Sequence, residues 1–103
     1  MNLQDLLYKV SLESVLGSTN VEIADIQFDS RKIAKNNLFV AVSGTISDGH
    51  NFISNAISDG AIAIIVEQFP EELDKNITYI KVKNSNNALG IVASNFYNNP
   101  SER

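Results

Sequence analysis

Six consecutive uncharged residues, Ala61-Ile62-Ala63-Ile64-Ile65-Val66, follow Gly60 and restrict the chain to few architectures. A run this short and this rich in β-branched side chains fits a strand covered on both faces, which calls for helices on each side of a sheet. Leu38 to Val42 is a second nearly continuous apolar run and reads the same way. Ile77 to Val82 reads as a third strand, with Ile77, Tyr79 and Lys81 alternating against Thr78, Ile80 and Val82. Between the first two strands in sequence, Asn51 to Asp59 places Phe52, Ile53, Ala56 and Ile57 on one helical face, and Gly60 marks its stop. Asn84-Ser85 opens a last helix that runs to about Tyr97, with Ala88, Leu89, Val92, Ala93 and Phe96 on its apolar face. Strands alternating with helices predict an α/β fold: a small sandwich in which a largely parallel or mixed sheet carries flanking helices.

The N-terminal part is less regular. Asn2 is placed to cap a helix in which Leu3, Leu6, Leu7 and Val10 recur at helical spacing. Ser11 to Asn20 reads as irregular, with a turn at Gly17-Ser18. Val21-Glu22-Ile23 and Ile26-Gln27-Phe28 read as half-buried strands, Lys35-Asn36-Asn37 as a polar turn, and Phe69-Pro70-Glu71-Glu72 as a loop with room for one helical turn.

Composition removes several functions. The chain has 103 residues, enough for one domain with a modest core, and 44% of them are hydrophobic. It has no cysteine, so disulfides and thiolate metal sites are excluded, in keeping with a reducing cytoplasm. The run from Ala61 to Val66 is far too short to span a bilayer, and Met1 to Val10 lacks the apolar centre of a signal peptide. Net charge is −4 and the basic residues cluster only at Arg31, Lys32 and Lys35, which argues against nucleic acid as a partner.

Little in the chain looks chemical. His50 is the one histidine, so a catalytic triad or a histidine–cysteine zinc site cannot be built. It reads as an entry-loop residue bonding to backbone, with ligand contact as the alternative. Asp48, just before a helix, and Asp59, just before a glycine, read as structural. Asp29 adjoins Ser30 and Arg31, and this Asp-x-Arg spacing supports a local ion pair that stiffens a turn; contact with ligand is the alternative. Gly44-Thr45-Ile46-Ser47-Asp48-Gly49 has glycines that let backbone approach a ligand, but lacks the Gly-Lys-Ser/Thr ending of a P-loop.

In order, the chain holds Asp29-Ser30-Arg31, Leu38-Phe39-Val40-Ala41, Gly44, Asp48-Gly49-His50, Phe52-Ile53, Ala56-Ile57 and Gly60-Ala61. As an ordered set at this spacing it resembles the N-terminal domain of the Mur ligases, the ATP-dependent enzymes that build the peptide of bacterial peptidoglycan. Leu3-Gln4-Asp5-Leu6-Leu7 and Phe96-Tyr97-Asn98-Asn99-Pro100-Ser101 make it most similar to the MurE type, with the MurF type, which adds D-alanyl-D-alanine, as the nearest rival. The resemblance implies that residues 1–98 form a domain receiving the UDP end of UDP-N-acetylmuramoyl-L-alanyl-D-glutamate. It also implies that residues 99–103 begin a linker to an ATP-binding domain carrying a Gly-Thr-x-Gly-Lys-Thr P-loop.

ATP and Mg would then be bound by that domain and a third one, not by these residues. The implied reaction activates a carboxylate as an acyl phosphate, which the incoming amino acid attacks, and these residues alone would not perform it. The resemblance further implies that Phe28 and Ser30 contact uridine, while Thr45, Ile46 and Ser47 line the nucleotide site. Asp29, Arg31, Asp48 and His50 are expected to shape the loops. Uracil presents two carbonyl acceptors and one N–H donor, which a hydroxyl and loop backbone can read while Phe28 and Ile46 cover its face. A cytoplasmic monomer without membrane contact is expected. A free-standing α/β binding module without enzyme activity is the reading from a different class.

Overall fold

The computed structural model describes residues 1–42, 53–70 and 73–97. Eight elements and one 3-10 turn follow one another: α1 (Leu3–Leu6), β1 (Leu12–Leu16), β2 (Asp25–Gln27), the turn Ser30–Lys32, β3 (Asn37–Val40), α2 (Ile53–Asp59), β4 (Ala61–Val66), β5 (Thr78–Val82) and α3 (Ser85–Tyr97). The strands form a five-stranded sheet in the order β1-β5-β4-β3-β2. β2, β3, β4 and β5 run parallel, and only β1 pairs antiparallel, against β5. The expected α/β sandwich with a mostly parallel sheet is therefore what forms.

Alternation along the strands divides the core in two. Ile26, Leu38, Val40, Ala63, Ile65, Ile80 and Val82 face α1 and α3, where Leu3, Leu6, Ala88 and Val92 close over them. Phe39, Ala41, Ile64, Val66 and Tyr79 face the other way, toward Ile53 and Ala56 of α2 and toward Ile33. Each fully buried aliphatic side chain of this kind contributes on the order of 1.5–3 kcal/mol. Because both faces are covered, the central strands show continuous burial: every residue of β3 is buried, and every residue of β4 except Ile62.

Polar side chains hold the ends of the elements. Asn2 caps α1, its Oδ1 accepting from the Gln4 N–H at 2.9 Å. At the other end of α1, Asn95 of α3 donates from Nδ2 to the carbonyls of Leu6 (2.9 Å) and Tyr8 (2.8 Å). Glu67, just past β4, accepts from both the backbone N–H (2.7 Å) and the hydroxyl (2.8 Å) of buried Ser85 at the start of α3. Asn84 accepts from the Asn87 N–H. Gly60 ends α2 at φ +124°, and its carbonyl accepts from the Asn36 N–H at 2.9 Å.

Two readings of the sequence need correction. Ser11 to Asn20 is not irregular throughout, since Leu12–Leu16 forms the edge strand β1. Its side chains are exposed apart from half-buried Val15, so it shows neither of the burial patterns by which strands are recognised. Val21 to Ile23 is not a strand; Glu22 makes a single antiparallel bridge to Asn2, and Ile23 is buried in the core with Leu3 and Leu6. The strand expected over Ile77 to Val82 forms as β5, Thr78–Val82, in which only Lys81 is partly open. The expected start of α2 at Asn51 and Phe52, and Glu71 and Glu72 of the loop before β5, lie outside the described residues.

Candidate functional site

Parallel pairing puts the carboxyl ends of β2, β3, β4 and β5 on one side of the sheet. Ligands of open parallel α/β sheets bind in the loops beyond these ends. β2 and β3 are direct neighbours, in register from Asp25↔Asn37 to Gln27↔Phe39. The segment Phe28-Asp29-Ser30-Arg31, leaving β2, therefore emerges beside the point where the chain leaves β3 at Val40-Ala41-Val42.

The turn after β2 has a defined internal geometry. Asp29 is the cap of the 3-10 turn, its Oδ1 accepting from the Arg31 N–H at 3.0 Å. The same carboxylate takes two further bonds from the Arg31 side chain, Nε to Oδ1 at 3.1 Å and Nη2 to Oδ2 at 2.9 Å. This fork-to-carboxylate pairing is bidentate. The guanidinium bonds, and after them the Arg31 backbone N–H, hold the Asp29 carboxyl well below the usual range, at about 2. Reciprocally, Asp29 raises Arg31 above its ordinary value. Phe28 stands beside this turn with 63% of its surface exposed, an aromatic face that no core residue covers.

The other expected residues are distributed as follows. Ser30 begins the 3-10 turn, while its side chain lies outside the described atoms. Thr45, Ile46, Ser47, Asp48 and His50 lie outside the described residues. Lys35, adjacent in sequence to Arg31 and Lys32, is on the opposite side of the sheet, where it packs against Gly60 before β3 begins. A feature that sequence reasoning missed lies beyond the carboxyl end of β5: a recess of about 430 Å³ lined by Ser11, Lys83, Asn84 and Asn87 among others. Ser11 reaches it only because β1 starts opposite Val82, a pairing with no local signal in sequence.

Among the described residues no three His, Cys, Asp or Glu side chains converge as a metal site would require. No helix among them is long and apolar enough to cross a membrane. The turn thus offers an exposed aromatic ring, a fixed guanidinium and backbone groups, which suit binding better than bond-making.

A profile of the Mur ligase family, described as its catalytic domain, matches residues 22–97. The chain belongs to the Mur ligase family. Its whole length aligns with the UDP-N-acetylmuramoyl-L-alanyl-D-glutamate–2,6-diaminopimelate ligase of Cytophaga hutchinsonii at 51% identity, covering 21% of that protein. The ligase of the same name from Parabacteroides distasonis is 43% identical, again over the whole chain and 21% of the relative. This Mur ligase chain therefore spans about a fifth of the length of the curated relatives it matches. Among solved structures, MurF from Acinetobacter baumannii superposes with a TM-score of 0.70 at 26% identity, over 91% of this chain and 20% of that one. MurF ligase from Thermotoga maritima in complex with ADP gives 0.61 at 32% identity, over 73% of this chain and 17% of that one.

Proposed function

We propose that this chain is the part of a MurE-type ligase that receives the UDP-N-acetylmuramoyl end of UDP-N-acetylmuramoyl-L-alanyl-D-glutamate. The parent enzyme would join the third amino acid of the peptidoglycan stem peptide, 2,6-diaminopimelate in the relatives named above. The observation that carries the reading is the parallel, in-register pairing of β2 with β3, which brings the Phe28–Arg31 turn beside the exit of β3 at the ligand-binding side of the sheet. In this reading Phe28 covers the face of uracil, and Ser30, Thr45, Ile46 and Ser47 contact the nucleotide through backbone and hydroxyl groups. Asp29, Arg31, Asp48 and His50 hold the two loops. Residues 1–98 act as one domain and 99–103 begin the connection to the rest of the enzyme, in the cytoplasm and as a monomer.

ATP and Mg belong to the parts of the relatives that this chain does not span. Its sequence contains no Gly-Lys-Ser or Gly-Lys-Thr, so the phosphate cradle of ATP must come from elsewhere. The reaction is then a division of labour, with this domain fixing one end of the substrate so that the carboxylate at the other end meets ATP and the amino acid. The solved MurF structures share the fold, whereas 51% identity to a diaminopimelate ligase favours the MurE type.

Titration of UDP into isotope-labelled chain, read by amide chemical shifts, tests the assignment. Shifts should centre on residues 28–31 and 44–47. Shifts confined to the opposite side of the sheet, around Lys35 and Gly60, would overturn it.

A further inference from the structure

We infer that Arg31 has a second task beyond bracing its turn: its guanidinium, held by Asp29, grips a phosphate of the bound nucleotide. The inference rests on the UDP-binding reading above and assigns a contact within that site.

The turn does not need the guanidinium. Its backbone is fixed by Asp29 Oδ1 accepting from the Arg31 N–H, a bond that any residue at position 31 except proline would supply. The pair faces solvent on the Arg31 side, whose side chain is open over 87% of its surface against 25% for Asp29, and a pair so open contributes little to stability. Bracing therefore accounts for only part of what a long, fully charged side chain does at this place.

Its donors explain it better. Asp29 engages Nε and one N–H of Nη2, which leaves both N–H groups of Nη1 and the second of Nη2 pointing away from the carboxylate. That free edge has the spacing of two phosphate oxygens. The carboxylate also fixes the rotamers of a flexible side chain in advance, so less entropy is lost when an anion arrives. Asp29 weakens the attraction without cancelling it, because the free edge of the guanidinium stands nearer an incoming anion than the carboxylate bound to its other edge. On a chain of net charge −4, a local cation is required to bring such a ligand in. Lys32 is the other cation of this turn, but no carboxylate among the described residues is seen to orient it, whereas Lys35 is on the far side of the sheet.

The test compares uridine with UDP on the 103-residue chain and on Arg31→Gln, Arg31→Lys and Lys32→Gln, by calorimetry at fixed ionic strength. Amide spectra establish that each variant is folded. The expected result for Arg31→Gln is unchanged uridine affinity and a loss of about tenfold for UDP, the scale of a charge-assisted pair. Arg31→Lys should recover only part, since an ammonium cannot be forked by Asp29, and Lys32→Gln should cost UDP less than Arg31→Gln. Equal losses for uridine and UDP in Arg31→Gln, or unchanged UDP affinity, would overturn the phosphate contact while leaving the nucleotide site intact. Equal losses in Arg31→Gln and Lys32→Gln would reduce the effect to general charge and overturn it as well. If neither uridine nor UDP binds the parent chain, the nucleotide reading fails and the phosphate contact falls with it.

Discussion

Tyr97, in the last turn of α3, donates its phenolic hydrogen to Asp25 Oδ1 at 2.7 Å, joining residues 72 positions apart. Asp25 uses the same oxygen to accept from the Ile26 N–H at 2.8 Å, so the start of edge strand β2 and the end of α3 share one acceptor. The bond to Asp25, and after it burial, raises the Tyr97 hydroxyl above the ordinary tyrosine value. A raised value means that the folded state favours the protonated phenol. Its stabilisation is complete below the pKa of an unfolded tyrosine and is lost as pH rises through the higher folded value. The ring carbon shifts of Tyr97 should show it titrating late, and Asp25→Asn should bring its midpoint down. Tyr97→Phe should cost about 1 kcal/mol or less, given that the residue is 62% exposed. An unchanged titration in Asp25→Asn would contradict this account.

Asp29 gives a prediction of opposite sign. Its carboxyl is depressed to about 2 by Arg31, so its contribution is present above the unfolded carboxylate value and disappears as pH falls toward about 2. Carbon chemical shifts of the Asp29 carboxyl should give a midpoint near that value. Arg31→Gln should move it upward, and not all the way, because the backbone N–H of residue 31 still donates. A midpoint in the ordinary aspartate range for the parent chain would show that the fork does not persist in solution.

Gly60 admits no side chain. At φ +124° a β-carbon would be strained, and it would stand 2.7 Å from Lys35 Cα and 2.9 Å from the Ala34 carbonyl oxygen. These neighbours are backbone and cannot turn aside. Gly60→Ala should therefore lose at least about 2 kcal/mol, combining left-handed strain with overpacking. Thermal unfolding should shift down by roughly 10 °C for a domain of this size. Gly90 is the control, since a β-carbon there meets nothing within 4 Å and Gly90→Ala should be neutral or stabilising.

Asn95 presents its amide to two carbonyls at the end of α1. Asn95→Ala should cost roughly 1–2 kcal/mol in denaturant unfolding for the two bonds lost. Asn95→Asp should cost more at neutral pH, because a carboxylate would face the Leu6 and Tyr8 oxygens with no hydrogen to give. Protonating it in acid should recover part of the difference. Equal stabilities of the two variants at neutral pH would refute the donor assignment.

Residues 53–97 were the legible part of the fold, and the reason is local. β4 announces itself through uncharged β-branched residues between Gly60 and Glu67, and α3 through Asn84 at its start and an apolar stripe along its length. β1 was hidden because its pairing with β5 joins Leu12–Leu16 to residues more than sixty positions later. Its exposed Leu12 and Leu16 follow no burial pattern of their own. Ile23 misled for the converse reason: its side chain is buried in the core shared with α1 and α3, while its N–H donates to the Met1 carbonyl at 2.7 Å and not into a ladder. In the candidate site, the Asp-x-Arg spacing pointed to an ion pair across the turn, and Asp29 and Arg31 are paired there. The placement of Lys35 on the far side could not be read from its closeness to Arg31 in sequence, since the chain between them passes back along the sheet through buried Ile33.

The antiparallel pairing of β1 with β5 also sets an order of events during synthesis. Among the described residues β5 is the one strand that β1 pairs with, and it is made last of the five. As the chain leaves the ribosome, Leu12 to Leu16 must wait unpaired until Val82 has emerged. Closing so long a loop is an entropic toll that local helices do not face, so docking of the N-terminal strand belongs late in folding. A nascent chain halted before Thr78 would carry the backbone of Leu12 to Leu16 without its ladder, a handle by which a chaperone can tell an unfinished domain from a finished one.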